Sequence, residues 1–322
     1  MTDIARAAAL LRAGELVAFP TETVYGLGAD ATNPAAVANI FTAKGRPADH
    51  PLIVHLPSVS HLGRWARDVP AAAYALAAAF WPGPLTLILK RQPGGVPDTV
   101  TGGQDTVGLR VPNHPLALAL LREFDGGIAA PSANRYGRIS PTQAQHVVDE
   151  LGTRVAMVLD GGACSVGIES TILDLSTATP RILRPGMIDA TMIAGVLGQR
   201  PAQQGDTAPR VPGSVAAHYA PRTPMQRVPS AALATVLAQA LEHGKRIAVL
   251  AFQPAPANLS NIAAWRVIDP DPAGFAHALY ADLRELDAQN CDLILVEAPP
   301  ETEDWLALAD RLGRAVVGSG TP

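Results

Sequence analysis

Leu16-Val17-Ala18-Phe19-Pro20-Thr21-Glu22-Thr23-Val24-Tyr25-Gly26-Leu27-Gly28 reads as a short buried strand that stops at a proline and delivers a loop of hydroxyls and glycines. The same pattern recurs outward from it. Helical spacing over residues 4–13 ends at Gly14, and a second helix is expected over 35–43, begun by Asn33-Pro34 and stopped by Gly45 and Pro47. Further apolar runs over 52–56, 85–89, 108–111, 128–130, 155–159 and 170–175 predict strands. Strands interleaved with helices in this order imply an α/β fold, with a sheet that is mixed rather than purely parallel.

Polar residues collect where these strands end. After residue 130 come Pro131-Ser132-Ala133-Asn134 and then Ser140-Pro141-Thr142; Glu169-Ser170-Thr171 begins a strand and Arg184-Pro185-Gly186 follows one. Loops at strand ends are where open α/β sheets place their ligands. Lys44-Gly-Arg46 followed by His50-Pro51 and His55 adds two cations on a stiff turn, suited to an anion such as phosphate. Arg110 lies inside Val-Gly-Leu-Arg-Val with Thr106 before it, and a cation in such a run needs a partner if buried. Simpler readings stay open at this level. Thr21 and Thr23 also suit a turn, Ser132 and Asn134 a helix cap, His55 a structural role and Glu169 an ion pair.

The 322 residues, 48% hydrophobic, suffice for two cores of ordinary size. Residues 1–200 are expected to form a catalytic domain, 201–227 a linker folding over its site, and 228–322 a smaller Rossmann-like α/β domain. The linker's Gln, Gly, Pro and Ala texture contains a His218-Tyr219 pair that a pure spacer has little reason to hold. In the last segment helices are expected over 231–242, 274–287 and 304–317, and strands over 247–252 and 293–297. Gln253-Pro254-Ala255-Pro256 follows the first of these strands, so no Gly-rich phosphate turn stands there.

No run of about eighteen apolar residues suggests a membrane span, and Met1-Thr2-Asp3-Ile4 does not read as a basic secretory leader, so a cytoplasmic protein is expected. Two cysteines, Cys164 and Cys291, exclude a disulfide scaffold or a thiolate zinc site. Lys plus Arg against Asp plus Glu is 16 against 16 over residues 1–200 and 9 against 13 over 201–322, so neither part has the basic excess of a dedicated nucleic-acid binder. Walker A, His-Glu-x-x-His and Gly-x-Ser-x-Gly signatures are absent. Gly26-Leu27-Gly28-Ala29-Asp30-Ala31 imitates a dinucleotide turn, but Pro20 to Tyr25 separate it from the strand.

Pro20-Thr-Glu-Thr-Val-Tyr-Gly-Leu-Gly28, Lys44-Gly-Arg46 with Pro51-Leu-Ile-Val-His55, Ala130-Pro-Ser-Ala-Asn134 and His218-Tyr-Ala-Pro221, in this order, resemble the L-threonylcarbamoyladenylate synthases of the YrdC-like family in their two-domain form. The likeness spans about residues 5 to 222. It implies a twisted mixed sheet and the condensation of L-threonine, bicarbonate and ATP to threonylcarbamoyl-AMP and pyrophosphate, a nucleotidyl transfer. A downstream tRNA threonylcarbamoyl-transfer complex then modifies adenosine beside the anticodon; any RNA contact of this chain itself would be weak.

By the family pattern, Thr23, His55, Arg110, Ser170 and the backbone at Ala130 hold threonine. Arg46, His50, Thr106, Ser132, Ser140, Arg184 and Tyr219 hold ATP, with Lys44 and Arg46 as the catalytic cations and Asn134 in the same cavity. Position 50 is usually Asn in the family. Magnesium is expected through the phosphates, since no carboxylate pair is placed to hold it. Two alternatives compete: a carbamoyl-adenylate-forming carbamoyltransferase, which would carry zinc-binding cysteine clusters, and a non-catalytic double-stranded RNA-binding module.

Overall fold

The computed structural model describes residues 2–203, 205, 208–257 and 260–320. The chain divides into two compact units, Met1–Tyr136 with Pro141–Ser214, and Gly137–Ser140 with Val215–Pro322.

The first unit is built on β1 Val17–Phe19, β2 Gly26–Asp30, β3 Ile53–His55, β4 Leu85–Lys90, β5 Thr106–Arg110, β6 Ile128–Ala129, β7 Met157–Val158, β8 Thr171–Asp174, β9 Arg181–Arg184 and β10 Ala202–Gln203. They form one sheet in the order β10-β9-β8-β4-β5-β3-β6-β2-β1-β7. The sheet is mixed: β3 runs parallel to β5 and β4 to β8, whereas β4–β5, β3–β6 and β1–β2 are antiparallel. The expected α/β class with a mixed sheet is what the chain adopts.

Side-chain alternation decides which face carries what. Val54, Val107, Leu109, Leu85, Leu87 and Leu89 enter the larger apolar core, together with Val37 and Ile40 of the helix Pro34–Lys44. Thr106, Gly108 and Arg110 of β5 therefore stand on the opposite face, next to Ile53 and His55, because Ile53 pairs with Gly108 and His55 with Arg110. That face holds two smaller apolar clusters. One joins Val17 and Phe19 to Leu11, Leu120 and Leu121 of the helices Asp3–Arg12 and Pro115–Phe124; the other joins Ile53, Ile88, Ile172, Leu183 and Val211.

The helix Pro34–Lys44 follows its sequence signals closely. Asn33 caps it by accepting from the Ala35 and Ala36 amides at 3.0 and 3.2 Å, Pro34 occupies the first turn, and Gly45 ends it in the left-handed region at φ 63°. By contrast, residues 26–30 carry no β-branched residue and read as loop, yet form β2. Its glycines are needed for packing: a Cβ on Gly28 would lie 2.8 Å from Phe19 Cε1, 2.9 Å from Ile128 Cγ2 and 3.1 Å from the Val17 carbonyl oxygen.

The second unit holds β11 Met225–Val228, β12 Ile247–Ala251, β13 Ile262–Val267 and β14 Leu293–Glu297, in the all-parallel order β11-β14-β12-β13. β12 and β14 are buried at every position, as strands covered on both faces should be. Val228, Ile247, Val249 and Leu295 pack under Leu237 of the helix Ser230–Glu242. β10 and β11 fall at the two ends of the stretch read as a linker. β13, whose residues are half-buried or exposed, was not among the expected strands: five of its six residues are apolar, but two adjacent alanines, poor strand formers, stand near its centre.

Gly28→Ala is expected to lower the stability of the chain by about 1–3 kcal/mol through overpacking, measured as a lower urea midpoint with an unchanged slope. A midpoint equal to wild type would mean that Phe19 and Ile128 do not confine this strand.

Candidate functional site

The loop after β1 is held from several directions. Thr21 Oγ1 donates to the Val24 carbonyl at 2.7 Å and lies 2.8 Å from Thr23 Oγ1. The Tyr25 amide donates to Pro141 O, the Ala133 amide to Tyr25 O and the Val166 amide to Glu22 O, at 2.8, 2.8 and 2.7 Å. Thr21, Glu22 and Thr23 are consequently all buried. This loop meets Arg110. The Arg110 Nε donates to Gly83 O at 3.1 Å, Nη1 donates to Thr23 Oγ1 at 3.0 Å, and Nη2 lies 2.7 Å from Glu22 Oε1. The buried cation has thus found its partners, one of them a carboxylate that the sequence reading left without a role.

His55 stands beside Arg110 in register and edge-on to Phe19, 6.0 Å between ring centres. Burial, with the Arg110 charge adding to it, pushes its imidazole down to about 3. Ala130 continues β6, its amide donating to Ile53 O at 3.0 Å. Ser170 Oγ lies 2.8 Å from Thr86 Oγ1, and the Ser170 carbonyl accepts from Arg184 Nε and Nη2 at 3.1 and 2.9 Å. Thr23, His55, Arg110 and Ala130 therefore stand around neighbouring strand ends, and Ser170 with Arg184 borders the same sheet face from β8 and β9.

The cations of the Lys-x-Arg element lie at the end of the helix Pro34–Lys44. Lys44 Nζ donates to the carbonyls of Ser132 and Asn134, the latter at 2.6 Å, and the Lys44 carbonyl accepts from the Tyr136 amide at 2.9 Å. Burial and the Arg46 charge lower the ammonium pKa well below its ordinary value. Lys44 thereby fixes the loop 131–136. Asn134 Nδ2 donates to the Arg135 carbonyl at 2.8 Å. Arg46 Nη2 donates to Pro51 O at 2.9 Å, and His50 packs edge-on against Tyr136, 5.6 Å between ring centres. Burial and Arg46 lower the His50 pKa. Thr106 lies at the amino end of β5, about 13 Å along the strand from Arg110.

Residues 208–214 lie on this face. Ala208 and Val211 pack on Ile53, Ile88, Ile172 and Leu183. The Pro212 carbonyl accepts from Arg184 Nη1 at 2.9 Å, and Arg210 reaches the Gly102 carbonyl at 3.0 Å, Asp49 at 3.2 Å and Gln104 through its backbone. Two of the expected ATP residues belong to the second unit. Ser140 is buried there. Tyr219, at φ 61°, stacks on Tyr280 at 5.8 Å with the Arg311 guanidinium 5.3 Å from its ring centre. The sequence reading missed Glu22, Tyr136 and Arg210. An acid enclosed by two threonines at a strand end was a usable signal for the first; nothing local marked the other two.

Other reactive groups are restrained. Burial raises the Cys164 thiol to about 12, helped by the Glu22 charge, and raises the Tyr25 phenol to about 12. Neither supplies an activated nucleophile near neutral pH. Among the described residues no group of three or more His, Cys, Asp and Glu stands together as a metal cage, and no helix is long and apolar enough to cross a membrane.

The Sua5, YciO and YrdC family model, described as telomere recombination, matches residues 9–186, and the model of the threonylcarbamoyl-AMP synthase C-terminal domain matches residues 188–316. The chain belongs to the threonylcarbamoyl-AMP synthase family. The threonylcarbamoyl-AMP synthase of Bacillus subtilis is 41% identical over 98% of this chain and 93% of its own length, and that of Pyrococcus abyssi 41% identical over 96% and 92%. Among solved structures, P. abyssi Sua5 complexed with L-threonine aligns with a TM-score of 0.90 at 38% identity, covering 98% of this chain and 94% of that one. Nucleotide-bound full-length HypF, at 20% identity and a TM-score of 0.51, covers 57% of this chain and 29% of its own and shares the fold alone. Within the threonylcarbamoyl-AMP synthase family, then, this chain places a buried Arg–Thr–His group on one face of a mixed sheet.

A neutral buried His55 makes stability pH-dependent in a definite direction. The folded-state pKa, about 3, lies below the unfolded value of about 6.5, so on acidification the unfolded chain takes the proton first. Stability is expected to fall by up to about 1.4 kcal/mol per pH unit below about pH 6.5. His55→Gln should have a shallower fall than wild type in urea titrations between pH 7 and pH 4. Parallel curves would show that the imidazole is not held neutral.

Proposed function

We propose that this chain condenses L-threonine, bicarbonate and ATP to threonylcarbamoyl-AMP and pyrophosphate, a nucleotidyl transfer that prepares threonylcarbamoyladenosine in tRNA. The observation that carries the reading is the buried Arg110, hydrogen-bonded to Thr23 and in register with the neutral His55, in a chain so similar to a relative solved with L-threonine. Arg110 offers the charge for the amino-acid carboxylate. Thr23, His55, Ser170 and the Ala130 backbone offer the uncharged donors and acceptors that a small polar side chain needs.

Arg46, His50, Thr106, Ser132, Ser140, Arg184 and Tyr219 are the ATP residues proposed from the family pattern. The threonine amine, after losing a proton to solvent, bonds to the bicarbonate carbon while a carbon–oxygen bond of bicarbonate breaks and water leaves; an oxygen of the resulting carbamate then bonds to the α-phosphorus, and the bond from that phosphorus to the bridging oxygen of pyrophosphate breaks. Negative charge gathers on the departing pyrophosphate, where Arg46 and Arg184 stabilise it. Lys44, held by the Ser132 and Asn134 carbonyls, contributes by fixing the shape of the loop as well as by its charge. Asn134 completes that loop. Magnesium is proposed to enter with ATP, held through the phosphates. No covalent enzyme intermediate is required; positioning and electrostatics carry the step.

Residues 201–227 are proposed to close over the reacting groups and exclude water from the labile carbamate, and the contacts of residues 208–214 support this. The product passes to a separate tRNA threonylcarbamoyl-transfer complex in the cytoplasm, with at most weak RNA contact by this chain.

Purified protein should release pyrophosphate from ATP only when L-threonine and bicarbonate are both present; release indifferent to threonine refutes the reading. Arg46→Ala should raise the KM for ATP by about 10- to 100-fold and leave that for threonine nearly unchanged, and His55→Ala should do the reverse. Equal effects on both substrates would undo the division of the site.

A further inference from the structure

Glu22 has no place in the roles assigned above, and its surroundings are unusual. It is 3% exposed, and its Oε1 lies 2.7 Å from Arg110 Nη2. The approach is not aligned as a hydrogen bond. Glu22 Oε1, Glu22 Oε2 and Arg110 Nη2 all lack a hydrogen-bond partner, while Arg110 Nε and Nη1 are satisfied by Gly83 O and Thr23 Oγ1. A carboxylate serving only to neutralise Arg110 would be expected to grip the guanidinium in a fork. Here one buried carboxylate keeps nearly all of its acceptor capacity open, which is costly unless a donor arrives.

The groups around it narrow the donor. His55 is neutral and pairs with Arg110 in the sheet register, and Cys164 is a protonated thiol. Arg110 and Glu22 therefore leave this part of the site with one positive and one negative charge side by side, and no net charge. An α-amino acid has the same pattern: a carboxylate for the guanidinium and an ammonium with three N–H donors for the carboxylate. A hydroxy acid of the same shape brings a negative charge and no cation.

We propose that Glu22 is a specificity-determining residue of the amino-acid site, receiving the substrate ammonium and so selecting a zwitterionic amino acid over the corresponding hydroxy acid. The assignment rests on the reading of Arg110, Thr23 and His55 as the threonine site. Thr21 and Thr23 flank it in sequence, and the Val166 amide holds its carbonyl at 2.7 Å, which fixes the loop that aims the carboxylate.

The test is calorimetric titration of the full chain with L-threonine and with 2,3-dihydroxybutyrate, in which a hydroxyl replaces the amine. Wild type should prefer threonine. Glu22→Gln should lose about tenfold or more in threonine affinity and change dihydroxybutyrate affinity by about twofold or less, so that the preference collapses; Glu22→Asp should restore part of it. Equal weakening of both ligands in Glu22→Gln, or no change in their ratio, overturns the proposal. If Glu22→Gln does not fold, as judged by thermal unfolding and ATP titration, wild type decides: threonine affinity should fall as pH rises above the pKa of its amino group while that for dihydroxybutyrate holds, and a rise for threonine overturns the proposal. Wild type that binds ATP but no threonine would overturn the reading of the site itself.

Discussion

A guanidinium taken out of water sets the terms for the first unit. Arg110 closes β5 inside an apolar run, and burying its charge unpaired would be prohibitive. The fold answers by bringing the Gly83 carbonyl, the Thr23 hydroxyl and the Glu22 carboxylate to it. Two of these come from the loop after β1 and the third from the connection that leads into β4. The loop after β1 must then be pinned, and it is, by backbone bonds to residues 133, 141 and 166. The conformation of that loop and the partners of one buried cation are thereby tied together.

Lys44 repeats the principle at smaller scale. Its ammonium holds two carbonyls of the loop 131–134, so the helix that ends in Lys44-Gly45-Arg46 and the loop that follows β6 are fastened to each other. The first cation of the pair shapes the loop, whereas Arg46 is bonded to the Pro51 carbonyl through one terminal nitrogen. Charge in this region acts on protein backbone before any ligand is considered.

Much of this was legible in the sequence. Asn33-Pro34 and Gly45 bounded a helix by local capping chemistry, and apolar runs gave β3, β4, β5, β12 and β14 because their burial is continuous. Arg110 announced itself by standing among valine and leucine. β2 was not legible, since its glycines are demanded by Phe19 and Ile128 from other parts of the chain, and β13 was hidden by its two adjacent alanines, which are poor strand formers. The candidate residues were found largely through a family resemblance; that His55, Thr106 and Arg110 share one face follows from strand register, which no local pattern reveals. Glu22 sat within the most telling motif, enclosed by two threonines at a strand end, and was still passed over.

The composition of the second unit bears on how the chain can be cut. Gly137–Ser140 belongs with Val215–Pro322: the Ala220 amide bonds the Gly137 carbonyl at 2.9 Å, Arg138 reaches the Pro221 carbonyl at 3.1 Å, and Arg284 reaches the Ile139 carbonyl. The unit is discontinuous in sequence. A gene shortened to end at residue 214 would encode four residues, in the middle of the remaining polypeptide, stripped of the backbone bonds that define them. Removal of the second unit from this chain would therefore leave 137–140 without their bonded partners.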